Sequence, residues 1–152
     1  ENKKINPDSY LLLVGEGSLR SDIENKVKKL GLKKKVIFLG GRSDVSRICS
    51  AADIFIFPSL FEGIPLALIE AQANGLPLVV SSGVDHEVKF SKDLVFLPLA
   101  EGAELWSKKI SQTSVRSLDN SKLQENKIYD IRNTVAILER IYRKTSREYN
   151  DD

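Results

Sequence analysis

The stretch that decides the fold is Ile54–Ser81, with the sequence IFIFPSLFEGIPLALIEAQANGLPLVVS. It begins with a short apolar run typical of a buried strand, passes through a loop, and continues as an apolar segment of helical length. Pro65 at the predicted first helical position, and Gly75 just past the predicted last residue Asn74, match the known preferences of helix termini. Leu78–Val80 then predicts a second strand, so the stretch forms a strand–helix–strand unit.

The same alternation extends on both sides of this unit. Five strands are predicted, at Tyr10–Val14, Val36–Leu39, Ile54–Phe57, Leu78–Val80 and Leu94–Leu97. Strands that alternate with helices over short links predict an α/β fold: a Rossmann-like, doubly wound, mostly parallel sheet flanked by helices.

Two helices are predicted among the first three strands. The inward positions of the first helix recur at steps of three and four, at Ile23, Val27 and Leu30. Ser18 or Ser21 is expected to cap that helix, with Gly31 as the left-handed residue past its end. Ser43 is expected to cap the second helix, which runs through Ala52.

Composition sets limits on function. The 152 residues suit one domain, and a net charge of +2 with interspersed acidic and basic residues argues against a nucleic-acid partner. The single cysteine, Cys49, cannot form an internal disulfide and is expected to be a packing residue. No apolar run approaches the roughly 20 residues of a membrane helix. The sequence contains no methionine, which suggests a part of a longer protein.

The pattern changes after Pro98. Helices are predicted at residues 103–114 and 120–149, and the end of the second is basic, with Arg140, Arg143, Lys144 and Arg147. Two readings stay open for this basic end: a solvated helix face, or a surface that contacts anionic lipid head groups.

Three loops follow strands at the edge where open α/β sheets bind ligands. They are Gly15–Gly17, Gly40–Arg42 and Ser59–Ile64. The first two hold glycines, which also suit a plain tight turn. The full dinucleotide fingerprint and the GxxxxGK[ST] phosphate loop are both absent, so a Rossmann dehydrogenase and a P-loop NTPase are excluded.

Two carboxylates distinguish the third loop and its helix. The helix start presents free N–H groups that favour phosphate, and Gly63 lets a ligand approach the backbone closely. Glu62 precedes this start, whereas Glu70 lies inside the apolar helix. An unpaired carboxylate is costly to bury, so Glu70 must face water, a basic partner or the hydroxyl groups of a sugar or ribose. A structural Glu70 paired with a basic residue is the alternative to a ligand-binding one.

These segments resemble a known family, the group-1 (family 4) retaining glycosyltransferases of GT-B architecture, in its C-terminal donor-binding domain. The resemblance covers about Ser9 to Leu99. It rests on two glutamates with seven residues between them in EGIPLALIE, on the flanks FPSLFEG and EAQANGLPLVVS, and on LLLVGEGSLR and VIFLGGR upstream. The segment SLFEGIPLALIEAQANGLP is most similar to bacterial enzymes that build capsular polysaccharide or exopolysaccharide.

The resemblance implies residue roles. Glu70 would hold the ribose hydroxyls of a nucleotide-sugar, most simply a UDP-sugar, and Glu62 would lie beside the sugar ring as the catalytic residue. The other implied donor-binding residues act mainly through backbone: Gly63, Ile64, Pro65 and Leu66 at the diphosphate and sugar, Gly41 and Arg42 at the base, and Gly15 and Gly17 at the cleft border. The implied reaction is metal-independent transfer with retention at the anomeric carbon, with no cofactor and no metal site.

The resemblance also implies that residues 1–152 form one domain of a longer enzyme, with a nucleotide-sugar-binding core at 9–99 and terminal helices at 100–152. The family's first βα unit, whose Arg and Lys bind the diphosphate, would precede this chain. So would the N-terminal acceptor domain with its catalytic His. His86 is therefore expected to be structural or solvent-exposed. The piece alone is expected to bind nucleotide weakly and to transfer nothing.

The implied partners are a nucleotide-sugar and a glycan or lipid-linked acceptor, with no nucleic acid. The implied location is the cytoplasm, with peripheral contact to the inner face of the cell membrane. Two alternatives remain: a GT-B sugar-nucleotide epimerase, which would convert the donor without an acceptor, and a non-catalytic GT-B-like interaction module.

Overall fold

A computed structural model describes residues 6–113 and 129–148, with side chains of the last helix described to Arg143. The five strands are β1 (Leu11–Val14), β2 (Val36–Gly40), β3 (Phe55–Phe57), β4 (Leu78–Ser81) and β5 (Leu94–Leu97). The helices are α1 (Arg20–Lys29), α2 (Val45–Ala51), α3 (Leu66–Ala73), α4 (Gly102–Gln112) and α5 (Ile131–Glu148). Short 3₁₀ turns lie at His86–Val88 and Leu99–Glu101. The predicted α/β architecture of parallel strands and flanking helices is confirmed.

The described strands form two separate parallel sheets rather than one. β1 pairs with β2, with Leu11 opposite Val36. β3 pairs with β4, and β4 pairs with β5, in the order β3-β4-β5. No ladder joins β1 to β3 within the described residues. In the described part of the chain, the predicted parallel strands are thus divided between a two-stranded and a three-stranded sheet.

The hydrophobic core lies in the three-stranded half. β4 is buried along its whole length, as expected for a parallel strand covered on both faces. The core cluster comprises Cys49, Leu68, Ala71, Leu76, Leu78, Val80, Val84, Val88 and Leu94. Cys49 is part of this cluster, which confirms its predicted packing role.

The two-stranded half, residues 6–44, contains no buried residue. Of the three positions predicted to face inward on α1, Val27 is half-buried, whereas Ile23 and Leu30 are exposed. The expectation for Ile23 and Leu30 is wrong because no described element covers the face of α1 on which they lie.

Helix starts differ from the predictions, whereas two helix ends agree. α1 follows Leu19 and α2 follows Asp44, and neither start has a side-chain cap, so the capping roles expected of Ser18, Ser21 and Ser43 are wrong. Gly31 and Gly75 have φ of +66° and +75°, the left-handed conformation predicted for residues just past a helix.

The helices after β5 begin close to the predicted positions where they are described. α4 begins at Gly102, one residue early, and its Trp106 is buried and donates from Nε1 to the carbonyl oxygen of Pro98 at 3.0 Å. α5 begins at Ile131, and the earlier part of its predicted span, residues 120–128, lies outside the described residues. No helix in the described ranges is long and apolar enough to cross a membrane.

Candidate functional site

The loop between β3 and α3 holds Glu62 in a fixed position. The hydroxyl of Ser59 donates a hydrogen bond of 2.5 Å to Glu62 Oε1, in a half-buried setting. The backbone of Glu62 also forms an isolated parallel bridge with Val84, which follows β4. A carboxylate held from two sides loses little conformational freedom when a ligand binds, which favours a precise contact.

A close approach of two loops supports this arrangement. A Cβ added at Gly83 would overlap the carbonyl oxygen of Leu60, so only glycine lets the loop after β4 lie against the loop that holds Glu62. The amide of Gly83 donates to the hydroxyl of buried Ser81 at 3.2 Å, which fixes the turn. The sequence prediction included Ser59 in the third candidate loop without giving it a role, and it did not identify Gly83 or Val84.

The start of α3 presents free backbone donors. Pro65 is the residue before the first helical residue, and its carbonyl accepts from the amides of Leu68 at 2.9 Å and Ile69 at 3.2 Å. The amides of Leu66 and Ala67 donate to no acceptor in the described part of the chain, as expected for a first helical turn. The helix thus starts one residue later than predicted.

The surface around this helix start is open and apolar. Gly63 has free space where a Cβ would sit. The side chains of Phe61, Ile64 and Leu66 are 83%, 68% and 71% exposed, far more than is usual for large apolar residues. Three of the four predicted pocket-lining residues, Gly63, Ile64 and Leu66, are therefore accessible, whereas Pro65 is buried and contributes backbone only.

Glu70 lies on the exposed side of α3. The helix buries Leu68, Ala71 and Gln72, whereas Glu70 is exposed. The carboxylate of Glu70 forms no hydrogen bond or ion pair with any residue in the ranges 6–113 and 129–143. The alternative of a structural glutamate paired with a basic residue is thus not seen there, and Glu70 faces solvent.

The two glycine-containing loops meet each other. The amide of Gly15, which has φ of +123°, donates to the carbonyl of Gly40 at 2.8 Å. The amide of Gly41 donates to Glu16 Oε1 at 3.4 Å. Gly17 lies in the same loop as Glu16, has open space where a Cβ would sit, and is exposed. The structure therefore brings together three of the predicted residues, Gly15, Gly17 and Gly41, and adds Glu16, which the sequence prediction did not include.

The guanidinium of Arg42 pairs with Asp44. Its Nε and one terminal nitrogen donate to the two carboxylate oxygens at 2.7 Å and 2.8 Å. The hydrogen bond from Arg42 lowers the pKa of Asp44, and the same bond raises the pKa of Arg42. Because the guanidinium of Arg42 is paired with the Asp44 carboxylate, the backbone of Arg42 is more available to a ligand than its charged side chain.

The predicted site residues fall into two groups. Gly15, Gly17, Gly41 and Arg42 belong to the two-stranded half, whereas residues 62–66 and Glu70 belong to the three-stranded half. No hydrogen bond or ion pair links these groups within the described ranges. His86 is exposed and stacks on Phe96, with ring centroids 3.8 Å apart, in agreement with its predicted structural role.

Among the described residues there is no group of three or more His, Cys, Asp or Glu side chains placed to hold a metal ion. The groups that the site offers to a ligand are two carboxylates, the free backbone amides at the start of α3, and glycine-containing loops that are open to solvent. Such a combination suits a ligand that carries both phosphate and vicinal hydroxyl groups.

Comparison with known proteins identifies the family of this chain. A family model described as "Glycosyl transferases group 1" matches residues 1–128. A UDP-Gal:alpha-D-GlcNAc-diphosphoundecaprenol alpha-1,3-galactosyltransferase of Escherichia coli is 47% identical over 83 residues, or 54% of this chain and 21% of that protein. The putative glycosyltransferase EpsF of Bacillus subtilis is 30% identical over 146 residues, or 92% of this chain and 38% of that protein.

Solved structures of glycosyltransferases share the fold. HepE of Anabaena in complex with UDP aligns with a TM-score of 0.68 at 22% identity, over 92% of this chain and 41% of that one. The chain thus spans well under half the length of the relatives that it matches. Its fold is that of one domain of a GT-B glycosyltransferase, and the chain belongs to the group 1 glycosyl transferases.

Proposed function

We propose that this chain is the nucleotide-sugar-binding part of a retaining glycosyltransferase that adds a sugar to a surface polysaccharide or its lipid-linked precursor. The observation that carries the proposal is the placement of two carboxylates around one helix start. Glu62 is held by Ser59 in the loop before α3, and Glu70 stands unpaired on the exposed side of α3, about one turn after the helix start at Leu66. Family membership supports a transferase.

In this proposal the donor lies across the start of α3. Its diphosphate accepts hydrogen bonds from the free amides of Leu66 and Ala67, where the helix dipole favours negative charge. The ribose hydroxyls donate to Glu70, which has no competing partner among the described residues. The transferred sugar then lies over Gly63, beside Glu62, whose carboxylate stabilises positive charge that develops at the anomeric carbon.

The base of the donor would reach the glycine loops. The exposed backbone of Gly41 and Arg42 offers it hydrogen bonds, and Gly15 and Gly17 border the same cleft. Uracil is the proposed base, because the Escherichia coli relative is named for a UDP-sugar. We further propose that the transfer needs no metal ion and no cofactor, because the helix start and backbone amides supply the stabilisation that the diphosphate requires.

The proposed acceptor is a glycan or a lipid-linked glycan at the inner face of the cell membrane, with the enzyme in the cytoplasm. The name of the Escherichia coli relative, which includes a diphosphoundecaprenol substrate, supports this class of acceptor. The exposed arginines on α5, including Arg140 and Arg143, suit peripheral contact with anionic lipid. The acceptor would bind to a further N-terminal domain of the longer enzyme.

Nucleotide binding is the first test. An NMR chemical-shift titration of residues 1–152 with UDP, ADP and GDP should perturb the amides of Gly41, Gly63 and Leu66, most strongly with UDP. Glu70→Ala should weaken UDP binding about tenfold, the effect of losing one charge-assisted hydrogen bond. Glu104→Ala removes an exposed carboxylate of α4 and should leave binding unchanged. Equal loss in both variants, or shifts confined to other regions, would contradict the proposal.

Transfer is tested with the full-length polypeptide and a set of UDP-sugars. The expected product keeps the anomeric configuration of the donor, as seen by NMR, and forms equally well in EDTA. Glu62→Gln should lower kcat by 10²-fold or more with a smaller change in KM, because Glu62 acts on charge present in the transition state. Conversion of the donor without acceptor would indicate the epimerase instead.

A further inference from the structure

A dense run of lysines extends from the end of α1 to the start of β2. Six lysines occur in the ten residues 26–35, which read KVKKLGLKKK, and no Asp or Glu lies between Glu24 and Asp44. The whole chain carries a net charge of +2, of which these lysines supply +6, so all the other residues together are net acidic, at −4. The positive charge of the chain is therefore concentrated in this segment.

The fold gathers this segment at one edge of the two-stranded sheet. α1 ends at Lys29, Lys35 immediately precedes β2, and a short turn joins them. The amide of Leu11 donates to the carbonyl of Lys35 at 2.8 Å, so the start of β1 lies beside the start of β2. We call the surface formed by residues 26–35 and Tyr10 the lysine face.

The lysines of this face have no acidic partner in the described part of the chain. Five of the six are exposed, Lys35 is half-buried, and none donates a hydrogen bond or forms an ion pair through its side chain there. The nearest acidic residue in sequence, Glu24, pairs with Arg20 at 2.9 Å. The lysines in the last turn of α1 offset the negative end of the helix dipole, but Lys33 and Lys34 lie beyond the helix. An anionic partner would relieve the repulsion among these like charges.

Apolar side chains lie exposed among the lysines. Leu30 and Tyr10 are each 61% exposed, and Nζ of Lys35 lies 4.3 Å from the centre of the Tyr10 ring. A tyrosine and a leucine surrounded by lysines are typical of surfaces that rest at the level of lipid head groups, where ammonium groups reach phosphate and apolar groups enter the lipid. Residues 26–35 contain no arginine, and lysine acts as a point charge that suits a fluid array of phosphates.

The lysine face lies at the edge of the sheet opposite the glycine loops. It precedes the parallel strands β1 and β2, whereas Gly15–Gly17 and Gly40–Arg42 follow them. Strands of four and five residues separate the two edges by roughly 13–17 Å. A flat partner in contact with the lysine face therefore leaves the glycine loops open to solution.

We propose that the lysine face binds the surface of an anionic lipid bilayer, with Leu30 and Tyr10 at the level of the head groups. This surface is distinct from the arginines of α5, and the inference does not depend on the proposed donor site. An acidic protein is the other macromolecule that six lysines would attract. Lipid fits better, because it covers exposed apolar side chains without requiring a surface of matching shape.

Vesicle sedimentation of the 152-residue chain tests the proposal, with phosphatidylcholine vesicles that contain about one-third phosphatidylglycerol. The parent should bind at low salt and dissociate as salt is added. The triple variant Lys29→Gln/Lys33→Gln/Lys34→Gln should bind about 100-fold more weakly, because each lysine near an anionic surface contributes roughly fivefold. No binding of the parent at low salt, or equal binding of parent and variant, would overturn the proposal.

Two control variants keep the result specific to the lysine face. The first, Lys89→Gln/Lys92→Gln/Lys108→Gln, removes the same charge from exposed positions elsewhere and should bind nearly as the parent does. An equal loss in this variant would mean that only net charge matters and would overturn the proposal.

The second control, Arg140→Gln/Arg143→Gln, tests α5. If it abolished binding while the variant of the lysine face still bound, the proposal would be wrong. UDP-induced shifts at Gly41 and Gly63 should persist in the lysine-face variant, so this proposal and that of the donor site fail separately.

A residue-level measurement distinguishes lipid from an acidic protein. Lipid with a spin-labelled head group should broaden the amide signals of Leu30 and Lys34 and leave that of Gly41 sharp. Leu30→Ser should weaken vesicle binding about tenfold, because an apolar contact with lipid is lost, and leave binding to soluble polyglutamate unchanged. Vesicle binding that is insensitive to Leu30→Ser, or broadening confined to α5, would overturn the proposal.

Discussion

Residues 6–44 and residues 45–113 are built from the same pattern of strand, helix and glycine-ended loop, yet only the second region has a core. In the first, every described side chain is exposed or half-buried, whereas in the second β4 is buried along its length. The apolar runs of the two regions are similar in length and composition. The burial of a strand therefore depends on the elements that pack on its faces. An apolar run predicts that the strand should be buried, but it does not show which elements bury it.

The largest expected effect compares one substitution in the two regions. Leu78→Ala, at a position with 0% exposure, should lower the free energy of unfolding by about 2–5 kcal/mol. Leu12→Ala, at 36% exposure, should cost roughly 1 kcal/mol or less in residues 1–152. Urea denaturation followed by circular dichroism measures both. Similar losses at the two positions would mean that the regions are equally packed.

A buried amide should matter almost as much. Gln72 has 0% exposure, its Nε2 donates to Val88 at 2.9 Å, and its Oε1 accepts from Phe90 and Ser91 at 2.9 and 3.0 Å. Gln72→Leu leaves these three backbone groups without a partner and should cost about 3 kcal/mol. The matched change Gln112→Leu, at an exposed helix end, should stay within about 0.5 kcal/mol. If Gln72→Leu were equally mild, the segment after β4 would not depend on α3 for its position.

Next in size is the close approach that positions Glu62. Gly83→Ala places a methyl group on the carbonyl of Leu60 and should cost about 1–3 kcal/mol, because the backbone of one loop must move. Gly63→Ala meets open space and should leave stability nearly unchanged. The NMR chemical shifts of Ser59 and Glu62 should change in Gly83→Ala, because the loop that holds both residues must move. Unchanged shifts there would show that the loop after β4 does not support Glu62.

The sequence was sufficient to predict the elements whose determinants are local. β5 was predicted at its observed bounds, and the other strands lie within one residue of prediction, because each apolar run is bounded by glycine, proline or polar residues. Gly31 and Gly75 were predicted correctly for the same reason, since a left-handed residue past a helix is a local requirement.

The failures involve contacts that are distant in sequence. Ser18, Ser21 and Ser43 are good capping residues, but the helices begin after Leu19 and Asp44. The exposure of Ile23 and Leu30 depends on an element that would cover α1, which the helical period cannot reveal. In the candidate site, the two glutamates were predicted from the resemblance of the local segment EGIPLALIE to the family. The support from Gly83 depends on a loop twenty residues away and was not.

The smallest expected effect concerns pH, at the link between the two regions. The hydrogen bond from Arg42, together with its positive charge, lowers the pKa of Asp44 below its usual value of about 3.9. A lowered pKa in the folded state means that the pair adds stability above the unfolded pKa and loses it as pH falls through the folded value. The free energy of unfolding should thus drop slightly more between pH 5 and pH 3 in the parent protein than in Asp44→Asn. Because both side chains are solvent-accessible, added salt should shrink the difference. Arg42→Met should return the pKa of Asp44, followed by NMR, toward its usual value; if it does not, another group sets that pKa.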